Sequence, residues 1–216
     1  MNSITEENYL KAIYSLSIDG AASTNAIAER LQTKASSVTD MAKKLADKNL
    51  VFYKKYQGVQ LTKTGLAIAL KIIRKHRLWE VFLVEKLNFK WDEVHDIAEQ
   101  LEHINSVELT KRLDEFLGNP KFDPHGDLIP DAEGNMVIRN EAKLLSELQV
   151  KDHGNIVGVK DSDANFLQYL ESQQLVLGTP ITVTQFFDFD RSMIITTNGR
   201  TLTLSHQVCK NLLIKQ

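Results

Sequence analysis

Side chains that commonly bind metals recur at helical spacing near the middle of the chain. The segment Val94–Ile104 places four of them on one face of a predicted helix: His95, Glu99, Glu102 and His103. Its apolar residues fall on a second face, which can pack against other elements. Two carboxylates and an imidazole one turn apart can bind a hard or borderline divalent cation. The spacing therefore predicts a metal site on this segment.

The preceding predicted helix offers a second donor pair, His76 and Glu80, at positions i and i+4. Both groups supply oxygen and imidazole nitrogen without sulfur, a donor set that suits Mn²⁺, Fe²⁺ or Zn²⁺. Mn²⁺ binds most weakly in this series, so selectivity for it must come from geometry and coordination number. Either group alone is more often a set of surface or ion-paired residues. Two groups on neighbouring helices favour a metal sensor.

The composition is that of a globular protein made of one large or several small domains. Of its 216 residues, 43% are hydrophobic and 25% are charged, and the formal charge is −2. No apolar run reaches the roughly 18 residues of a membrane span, and the first residues lack the features of a secretory signal. Cys209 is the only cysteine, which excludes an intrachain disulfide and a thiolate metal cage. We therefore expect a cytoplasmic protein without a membrane partner.

The near-neutral charge hides an asymmetry between the two ends of the chain. Residues 1–75 carry twelve Lys and Arg against six Asp and Glu, whereas the remaining 141 residues carry 14 against 22. No acidic residue occurs between Asp47 and Glu80. A basic end joined to an acidic end suggests that one part contacts a polyanion and another holds cations. An uneven solvated surface is the simpler alternative.

The predicted order of elements at the N-terminus is helix, helix, turn, helix and hairpin. The helices are predicted at residues 3–18, 26–31 and 35–46, and the hairpin strands at 51–56 and 59–62, with a turn at Gln57-Gly58. This is the order of a winged helix-turn-helix, which we assign to residues 1–63.

The third helix and the hairpin carry the candidate DNA contacts. Short polar groups on the helix permit close approach to base edges, and lysines on both elements can neutralise phosphates. The candidates are Lys34, Ser36, Ser37, Thr39, Lys43, Lys44, Lys54, Lys55 and Tyr56. Singly, such residues are usually solvated surface. As an ordered set within the basic block, they predict binding to double-stranded DNA.

The middle of the chain is predicted to be a helical module. Helices are expected at residues 64–87, 91–101 and 107–117, followed by a Pro-rich segment at 118–130. There are too many apolar residues for one face of each helix, so this module can also supply a dimer face. We assign residues 64–140 to a metal-binding and dimerisation domain.

The pattern changes to strands after about residue 150. Strands are predicted at 156–159, 181–185, 193–197 and 200–204, with a helix at 163–172. Asn198-Gly199 between the last two strands predicts a tight hairpin turn. Residues 141–216 should therefore form a small β-barrel-like domain, and the whole chain should be mainly α with small β parts.

Several segments resemble the diphtheria toxin repressor and manganese transport regulator family. They are Glu7-Asn8-Tyr9-Leu10-x-x-Ile13-Tyr14, Arg74-Lys75-His76-Arg77-Leu78-x-Glu80, Val94-His95-Asp96 and Glu99-x-x-Glu102-His103. The resemblance covers essentially the whole chain and is to the manganese-type branch, which has a C-terminal SH3-like (FeoA-like) domain. It implies a homodimeric, metal-activated repressor of metal-uptake genes that binds a DNA operator, with no enzymatic activity and no small-molecule substrate.

The resemblance also implies a primary metal site. Glu99, Glu102 and His103 match its ligands, and Asn8 falls where the family places a ligand from the first helix, usually Asp or Met. Position 99 is Cys in iron-type members and Glu in manganese-type members. This favours Mn²⁺ as the cofactor, with Fe²⁺ as the alternative and Zn²⁺ able to bind in vitro.

A second site is implied by further matching positions. Its residues are His76, Glu80, Asp123, His125 and Asp161. Asp123 stands where such members have Cys or a similar donor, a change that hardens the donor set towards Mn²⁺ or Fe²⁺. His95 matches a ligand of the iron-type second site, and we rank it below the others.

A cation shared by the first helix and the dimer module would fix the two recognition helices for successive major grooves. By linkage, DNA would then tighten metal binding. Two alternatives stay open. A carboxylate-bridged metalloenzyme would need Glu-x-x-His on two helices, and this chain lacks paired copies. A winged-helix regulator could also bind DNA without metal or under the control of another ligand.

Overall fold

The computed structural model describes residues 3–17, 20–136 and 142–216. The helices are α1 (Ile4–Leu16), α2 (Thr24–Arg30), α3 (Ala35–Asp47), α4 (Lys63–Leu87), α5 (His95–Leu101), α6 (Val107–Phe116), α7 (Ala164–Ser172) and α8 (His206–Cys209). The strands are β1 (Val51–Lys54), β2 (Gly58–Leu61), β3 (Ala142–Leu144), β4 (His153–Val159), β5 (Pro180–Phe186), β6 (Met193–Thr197), β7 (Arg200–Leu204) and β8 (Leu212–Lys215). None of the helices within these described ranges is long and apolar enough to span a bilayer.

The chain folds as two compact units, which we describe separately. The first unit comprises Met1–His76, Gln100–Ser106 and Pro130–Asn135. The second comprises Arg77–Glu99, Val107–Ile129 and Met136–Gln216. The predicted domain boundary at residues 140 and 141 lies outside the described residues.

The first unit contains the predicted winged helix-turn-helix. α1 begins with a capping box, in which the Glu6 N–H donates to Ser3 Oγ and the Ser3 N–H donates to the Glu6 carboxylate. β1 and β2 pair antiparallel from Val51↔Leu61 to Lys54↔Gly58. Apolar side chains of α1, α2, α3 and the hairpin share one core, which includes Leu10, Ile13, Ile27, Val38, Leu45 and Val59. The predicted order of elements is confirmed.

The boundaries of α1 and of the hairpin differ from the prediction. α1 ends at Leu16, where the Ser17 N–H donates to the Tyr14 carbonyl, and predicted helix residue 18 lies outside the described residues. β1 ends at Lys54 rather than at residue 56, because Tyr56 has a left-handed φ of 67° that a strand does not allow. Lys55 and Tyr56 therefore lie in the turn of the wing.

The second unit begins with the C-terminal part of α4, followed by α5 as far as Glu99 and by α6. Leu78, Val81, Leu113 and Ile129 form a small core here. The helix predicted from Trp91 starts only at His95, because the Lys90 N–H donates to the Glu93 carboxylate in a preceding turn. Trp91 instead packs with the apolar core of the C-terminal sheet.

The end of α5 also differs from the prediction. We expected one helix to carry His95, Glu99, Glu102 and His103, but α5 ends at Leu101. The Ile104 N–H donates to the Leu101 carbonyl at 3.1 Å, which closes a tight turn. Glu102 and His103 therefore lie in this turn rather than on the helix.

The C-terminal part of the second unit is an antiparallel sheet with the strand order β3-β8-β4-β5-β6-β7. All four predicted strand segments lie within β4 to β7, and the predicted helix is α7 with Asp163 as its cap. Asn198 and Gly199 have φ values of 46° and 75° between β6 and β7, as a tight hairpin requires. The sequence analysis missed β3, β8 and α8.

Candidate metal centres and nucleic-acid interface

The second unit contains a buried group of ligand-type side chains, Glu80, Asp123 and His125. Their exposed fractions are 2%, 4% and 3%. One oxygen or nitrogen atom from each lies within 4.8 Å of those of the other two. We call these three residues the Glu80 cluster. Two carboxylates and an imidazole in one buried position are a donor set for a divalent cation.

The loop that carries Asp123 and His125 holds both side chains in place. Asp123 Oδ1 accepts the backbone N–H groups of His125 and Asp127, at 2.8 and 2.9 Å. The Val159 N–H donates to the His125 carbonyl, which ties the loop to β4. Gly126 has a φ of 86°, and a Cβ there would collide with the Val157 carbonyl, so a residue with a side chain does not fit. The glycine therefore allows the backbone of this loop to lie close to the backbone of β4.

The imidazole of His125 is fixed from two sides. Its Nε2 lies 2.8 Å from the Trp91 carbonyl, and the Trp91 and His125 rings stack at 6.2 Å. Its Nδ1 faces Glu80 Oε2 at 3.8 Å. The nitrogen that faces the carboxylates is therefore the one available to a cation, while the other makes the outer hydrogen bond that commonly orients metal-binding histidines.

The pKa values of the Glu80 cluster show an excess of negative charge. Burial, and then the charge of Glu80, raise the pKa of Asp123 to about 7. Burial lowers the pKa of His125, but pairing with Glu80 and the charge of Asp123 outweigh it and raise that pKa to about 9. Arg77 Nε lies 3.5 Å from Asp123 Oδ2 and offsets part of the charge. The cluster thus takes up protons in place of a cation, and its residues fit a bound divalent metal.

Of the other predicted second-site residues in this unit, His95 lies beside Glu80, whereas Asp161 does not join the Glu80 cluster. Asp161 is exposed, and its Oδ1 accepts the Asp163 N–H near the start of α7. Among the described residues, the groups of three or more close metal ligands do not include Asp161. His95 is half exposed, with Nδ1 3.5 Å from Glu80 Oε1 and Nε2 3.6 Å from Glu99 Oε1. His76 lies one turn before Glu80 on α4, and its Nδ1 faces Glu102.

The first unit surrounds Glu102 with basic groups. Glu102 is fully buried, and Lys11 Nζ donates to both of its carboxylate oxygens at 2.8 Å. His76 Nδ1 lies 2.6 Å from Glu102 Oε2. His103 Nε2 lies 3.7 Å from Glu102 Oε1, while its Nδ1 lies 2.7 Å from Glu7 Oε2. We call Glu102 and its three basic neighbours the Glu102 cluster; these neighbours are Lys11, His76 and His103.

Asn8 contributes a different feature to the first unit. Its Oδ1 is buried and has no hydrogen-bond partner within the described part of the chain. A buried carbonyl oxygen without a donor is costly, and a cation can satisfy it. Of the primary site predicted from the sequence, Glu102 and His103 therefore lie close together, and Asn8 lies in the same unit on α1. Glu99 lies on α5 beside His95.

Sequence reasoning missed Glu7, Lys11 and Lys75. Burial lowers the pKa of Lys75, while the nearby carboxylates of Glu7 and Glu102 act in the opposite direction. Glu7 and Lys11 are four residues apart on α1, and Asn8 and Lys11 are three apart, so all share one helix face. That spacing was visible in the sequence, but the partner of Lys11 was not.

The candidate nucleic-acid interface is formed by α3 and the wing. Most of the predicted DNA-contacting residues are exposed, and Tyr56 at the wing turn is 93% exposed. The Lys55 ammonium lies 5.0 Å from the centre of the Tyr56 ring. Lys44 differs from the others, because its Nζ lies 3.1 Å from the buried carboxylate of Glu6. Lys44 therefore stabilises the fold of the first unit through Glu6 and also adds positive charge to its surface.

A cleft of about 450 Å³ separates the recognition helix from the wing. Its lining residues are Ser23, Thr24, Thr39, Lys43, Tyr53, Lys55, Tyr56 and Gly58. Thr39 donates its hydroxyl to the Ala35 carbonyl, and Lys43 Nζ lies 3.6 Å from Asp40. The basic groups on both walls give the cleft a surface that suits a phosphate backbone.

Comparison with known proteins matches each part of the chain to one domain. Residues 1–59 match the N-terminal DNA-binding domain of iron-dependent repressors, and residues 62–131 match their metal-binding and dimerisation domain. Residues 143–216 match the FeoA domain. The three matches follow one another along the chain in the order in which the sequence analysis placed these domains.

Two curated relatives illustrate the similarity. The iron-dependent repressor IdeR of Mycobacterium tuberculosis is 36% identical over 127 residues, which are 58% of this chain and 55% of that protein. This match therefore spans little more than half of the relative's length. The diphtheria toxin repressor of Corynebacterium diphtheriae is 26% identical over 225 residues, with 98% of this chain and 97% of that protein covered.

A solved structure matches the whole fold. It is described as a manganese-dependent transcriptional repressor in complex with manganese, and it is 34% identical to this chain with a TM-score of 0.87. The match covers 98% of this chain and 99% of that one. The chain therefore belongs to the diphtheria toxin repressor and manganese transport regulator family of metal-dependent transcriptional repressors.

Proposed function

We propose that this protein is a homodimeric transcriptional repressor of metal-uptake genes, activated by Mn²⁺, with Fe²⁺ as the alternative effector. Its proposed place of action is the cytoplasm, where the operator DNA lies. The domain boundaries proposed are 1–63, 64–140 and 141–216, which the matched domains at 1–59, 62–131 and 143–216 support. The dimer is supported by the match to a dimerisation domain.

The Glu80 cluster is the observation that carries this proposal. Glu80 and Asp123 are both buried, and burying two carboxylates together is unfavourable unless protons or cations offset their charge. When bound, a divalent cation supplies the positive charge that lets both carboxylates be ionised together. The chain's own residues already fix the donors, since backbone N–H groups hold Asp123 and the Trp91 carbonyl holds His125. An oxygen-rich set without sulfur favours Mn²⁺ or Fe²⁺.

We propose a separate, regulatory group of metal ligands that belongs to the primary site predicted from the sequence. Asn8, Glu102 and His103 lie in the first unit with the DNA-binding elements, and the unsatisfied Asn8 oxygen supports a cation there. The other ligands named from the sequence remain predictions; they are Glu99, His76, Asp161 and His95. The spacing of four residues between His76 and Glu80 within α4 supports a shared ligand helix.

We propose that α3 reads the major groove and that the wing contacts the phosphate backbone. Ser36, Ser37 and Thr39 on α3 approach the bases, and Lys34, Lys43, Lys54, Lys55 and Tyr56 contact the backbone. A cation that binds the DNA-competent form more tightly shifts the population towards that form. By reciprocity, operator DNA raises the affinity for the cation by the same factor.

Fluorescence anisotropy tests the proposal directly. DNA from upstream of metal-transporter genes is titrated with the full-length protein at fixed salt, without metal and with Mn²⁺, Fe²⁺ under anaerobic conditions, Zn²⁺ or Ca²⁺. We expect Mn²⁺ to tighten binding by about tenfold or more, a typical allosteric coupling. Ca²⁺ should not substitute, because it prefers more oxygen ligands at longer distances. Equal binding with and without every metal would contradict the proposal.

A matched pair of variants links the effect to the Glu80 cluster. Asp123→Asn removes one buried carboxylate, whereas Asp131→Asn changes an exposed carboxylate that only caps a turn. We expect the first variant to lose the Mn²⁺ response and the second to keep it. Loss of the response in both variants would point to a general loss of folding rather than to a metal site.

A further inference from the structure

We propose that the ammonium of Lys11 is an internal cation for Glu102, which a divalent metal must displace in order to bind there. This inference rests on the proposed function, because it concerns the proposed metal ligands of the Glu102 cluster. Lys11 Nζ lies 2.8 Å from both oxygens of Glu102. That position between the two oxygens is the one that a bidentate cation takes on a carboxylate.

The burial of the pair makes this competition strong. Glu102 is fully buried, and the Lys11 side chain is 19% exposed. In such a position an ammonium and a metal ion cannot both occupy the same face of one carboxylate, because like charges at short range repel strongly. Metal binding at Glu102 therefore includes the cost of moving Lys11, and the affinity measured there is lower than the donor set alone would give.

Basic side chains surround the carboxylate of Glu102. His76 Nδ1 lies 2.6 Å from Oε2, and His103 Nε2 lies 3.7 Å from Oε1. The two oxygens thus face three basic side chains, counting Lys11. The Glu80 cluster differs here, since its carboxylates raise the pKa of their neighbours. The carboxylate of Glu102 therefore has partners within the protein in the absence of a metal.

Asn8 is the second side chain of α1 whose interactions would change when a metal ion displaces Lys11. Asn8 and Lys11 are three residues apart on α1, so that both side chains lie on the same helix face. Lys11 is paired, whereas the Asn8 oxygen is buried without a donor. Metal binding would reverse this arrangement, because Lys11 leaves Glu102 and Asn8 gains a cation for its oxygen. Side chains on α1 would thereby report the metal to the DNA-binding elements of the same unit.

Mn²⁺ binding measures the competition. Free Mn²⁺ is followed by electron paramagnetic resonance in the full-length protein carrying Asp123→Asn, which leaves the Glu102 cluster as the site observed. Lys11→Met is then added, since it removes the charge and keeps the length of the side chain. Lys71→Met is the matched control, because Lys71 is an exposed lysine of the same unit and of α4.

We expect Lys11→Met to tighten Mn²⁺ binding by about tenfold or more and Lys71→Met to change it less than about twofold. Lys11→Arg, which keeps the charge, should bind like the parent. Unchanged or weaker binding in Lys11→Met would overturn the inference while leaving the proposed function intact. The proposed function itself fails if the unmodified protein binds no Mn²⁺ at all.

A measurement on the unmodified protein covers the case in which Lys11→Met does not fold. The ¹⁵N resonance of a lysine ammonium that is paired with a buried carboxylate is protected from exchange with solvent and can be assigned with Lys11→Arg. Diamagnetic Zn²⁺ is then added in excess. We expect the protected Lys11 signal to disappear while Glu102 acquires the metal. A signal that persists at saturating Zn²⁺ would overturn the inference.

Discussion

The two candidate clusters both combine a buried glutamate with histidine, but the negative charge is offset in different ways. The Glu80 cluster buries two carboxylates and an imidazole beside Arg77, and the pKa of Asp123 rises to about 7. The Glu102 cluster buries one carboxylate, and Lys11 and His76 contact its oxygens at 2.8 and 2.6 Å. The first arrangement takes up protons or an external cation, whereas the second contains the ammonium of Lys11. The spacing of ligand residues in a sequence therefore does not reveal whether other side chains of the fold already offset the charge of those ligands.

Asp123→Asn should produce the largest effect and tests the first half of this comparison. A neutral amide keeps the shape of the loop but removes an anionic donor, so the affinity for Mn²⁺ should fall by about a hundredfold or more. The shift of the unfolding temperature on addition of Mn²⁺ should shrink accordingly. Isothermal titration and thermal unfolding measure both quantities. Tight Mn²⁺ binding in this variant would place the principal site elsewhere.

Glu102→Gln should have the next largest effect and tests the second half. The change leaves the Lys11 ammonium without its carboxylate, and breaking a buried pair costs about 3–5 kcal/mol. Because Lys11 is partly exposed, we expect the free energy of unfolding without metal to fall by about 2–3 kcal/mol. Urea denaturation of the metal-free protein measures it. Glu115→Gln, in an exposed pair on α6, is the control and should change stability by less than about 0.5 kcal/mol.

Asp161→Asn should have a smaller effect. Asp161 is exposed and accepts the Asp163 N–H, so it contributes less to a cation site than the buried Asp123. We expect the affinity for Mn²⁺ to fall by less than about tenfold. Isothermal titration beside Asp123→Asn provides the measurement. Equal losses in the two variants would show that Asp161 joins the Glu80 cluster when metal is bound.

His95→Ala should have the smallest effect of the four variants. The side chain is 45% exposed, and its nitrogens lie 3.5 and 3.6 Å from Glu80 and Glu99. Partly solvated contacts of this kind contribute about 0–1 kcal/mol. We therefore expect Mn²⁺ affinity to change by less than about fivefold. A loss as large as that of Asp123→Asn would make His95 a principal ligand.

The sequence predicted most of the fold, because its local signals agree with the tertiary structure. The order of helices and hairpin in the first unit and the Asn198-Gly199 turn arise from local features, and each appears where it was predicted. The short edge strand β3 and the last strand β8 were missed. Three or four residues carry too little periodicity to identify a strand whose partner is distant in sequence.

The sequence predicted which residues are candidate ligands, but it did not predict which of them lie together in the fold. Helical spacing pointed to Glu102 and His103, yet α5 ends before both of them. Lys11 meets Glu102 across 91 positions of sequence, a pairing that no local pattern encodes. His125 and Asp123 were identified only by resemblance, and their burial with Glu80 depends on the packing of a loop against β4. Long-range pairing therefore decides which ligands meet.

The Mn²⁺ binding isotherm of the unmodified, full-length protein tests the central claim most directly. Electron paramagnetic resonance of free Mn²⁺ resolves classes of sites by their affinity. The account predicts one tight site per protomer, assigned to the Glu80 cluster by its loss in Asp123→Asn, and a weaker site that Glu102→Gln removes. A tight site that survives Asp123→Asn but is lost in Glu102→Gln would contradict the account, because the roles of the two clusters would then be reversed.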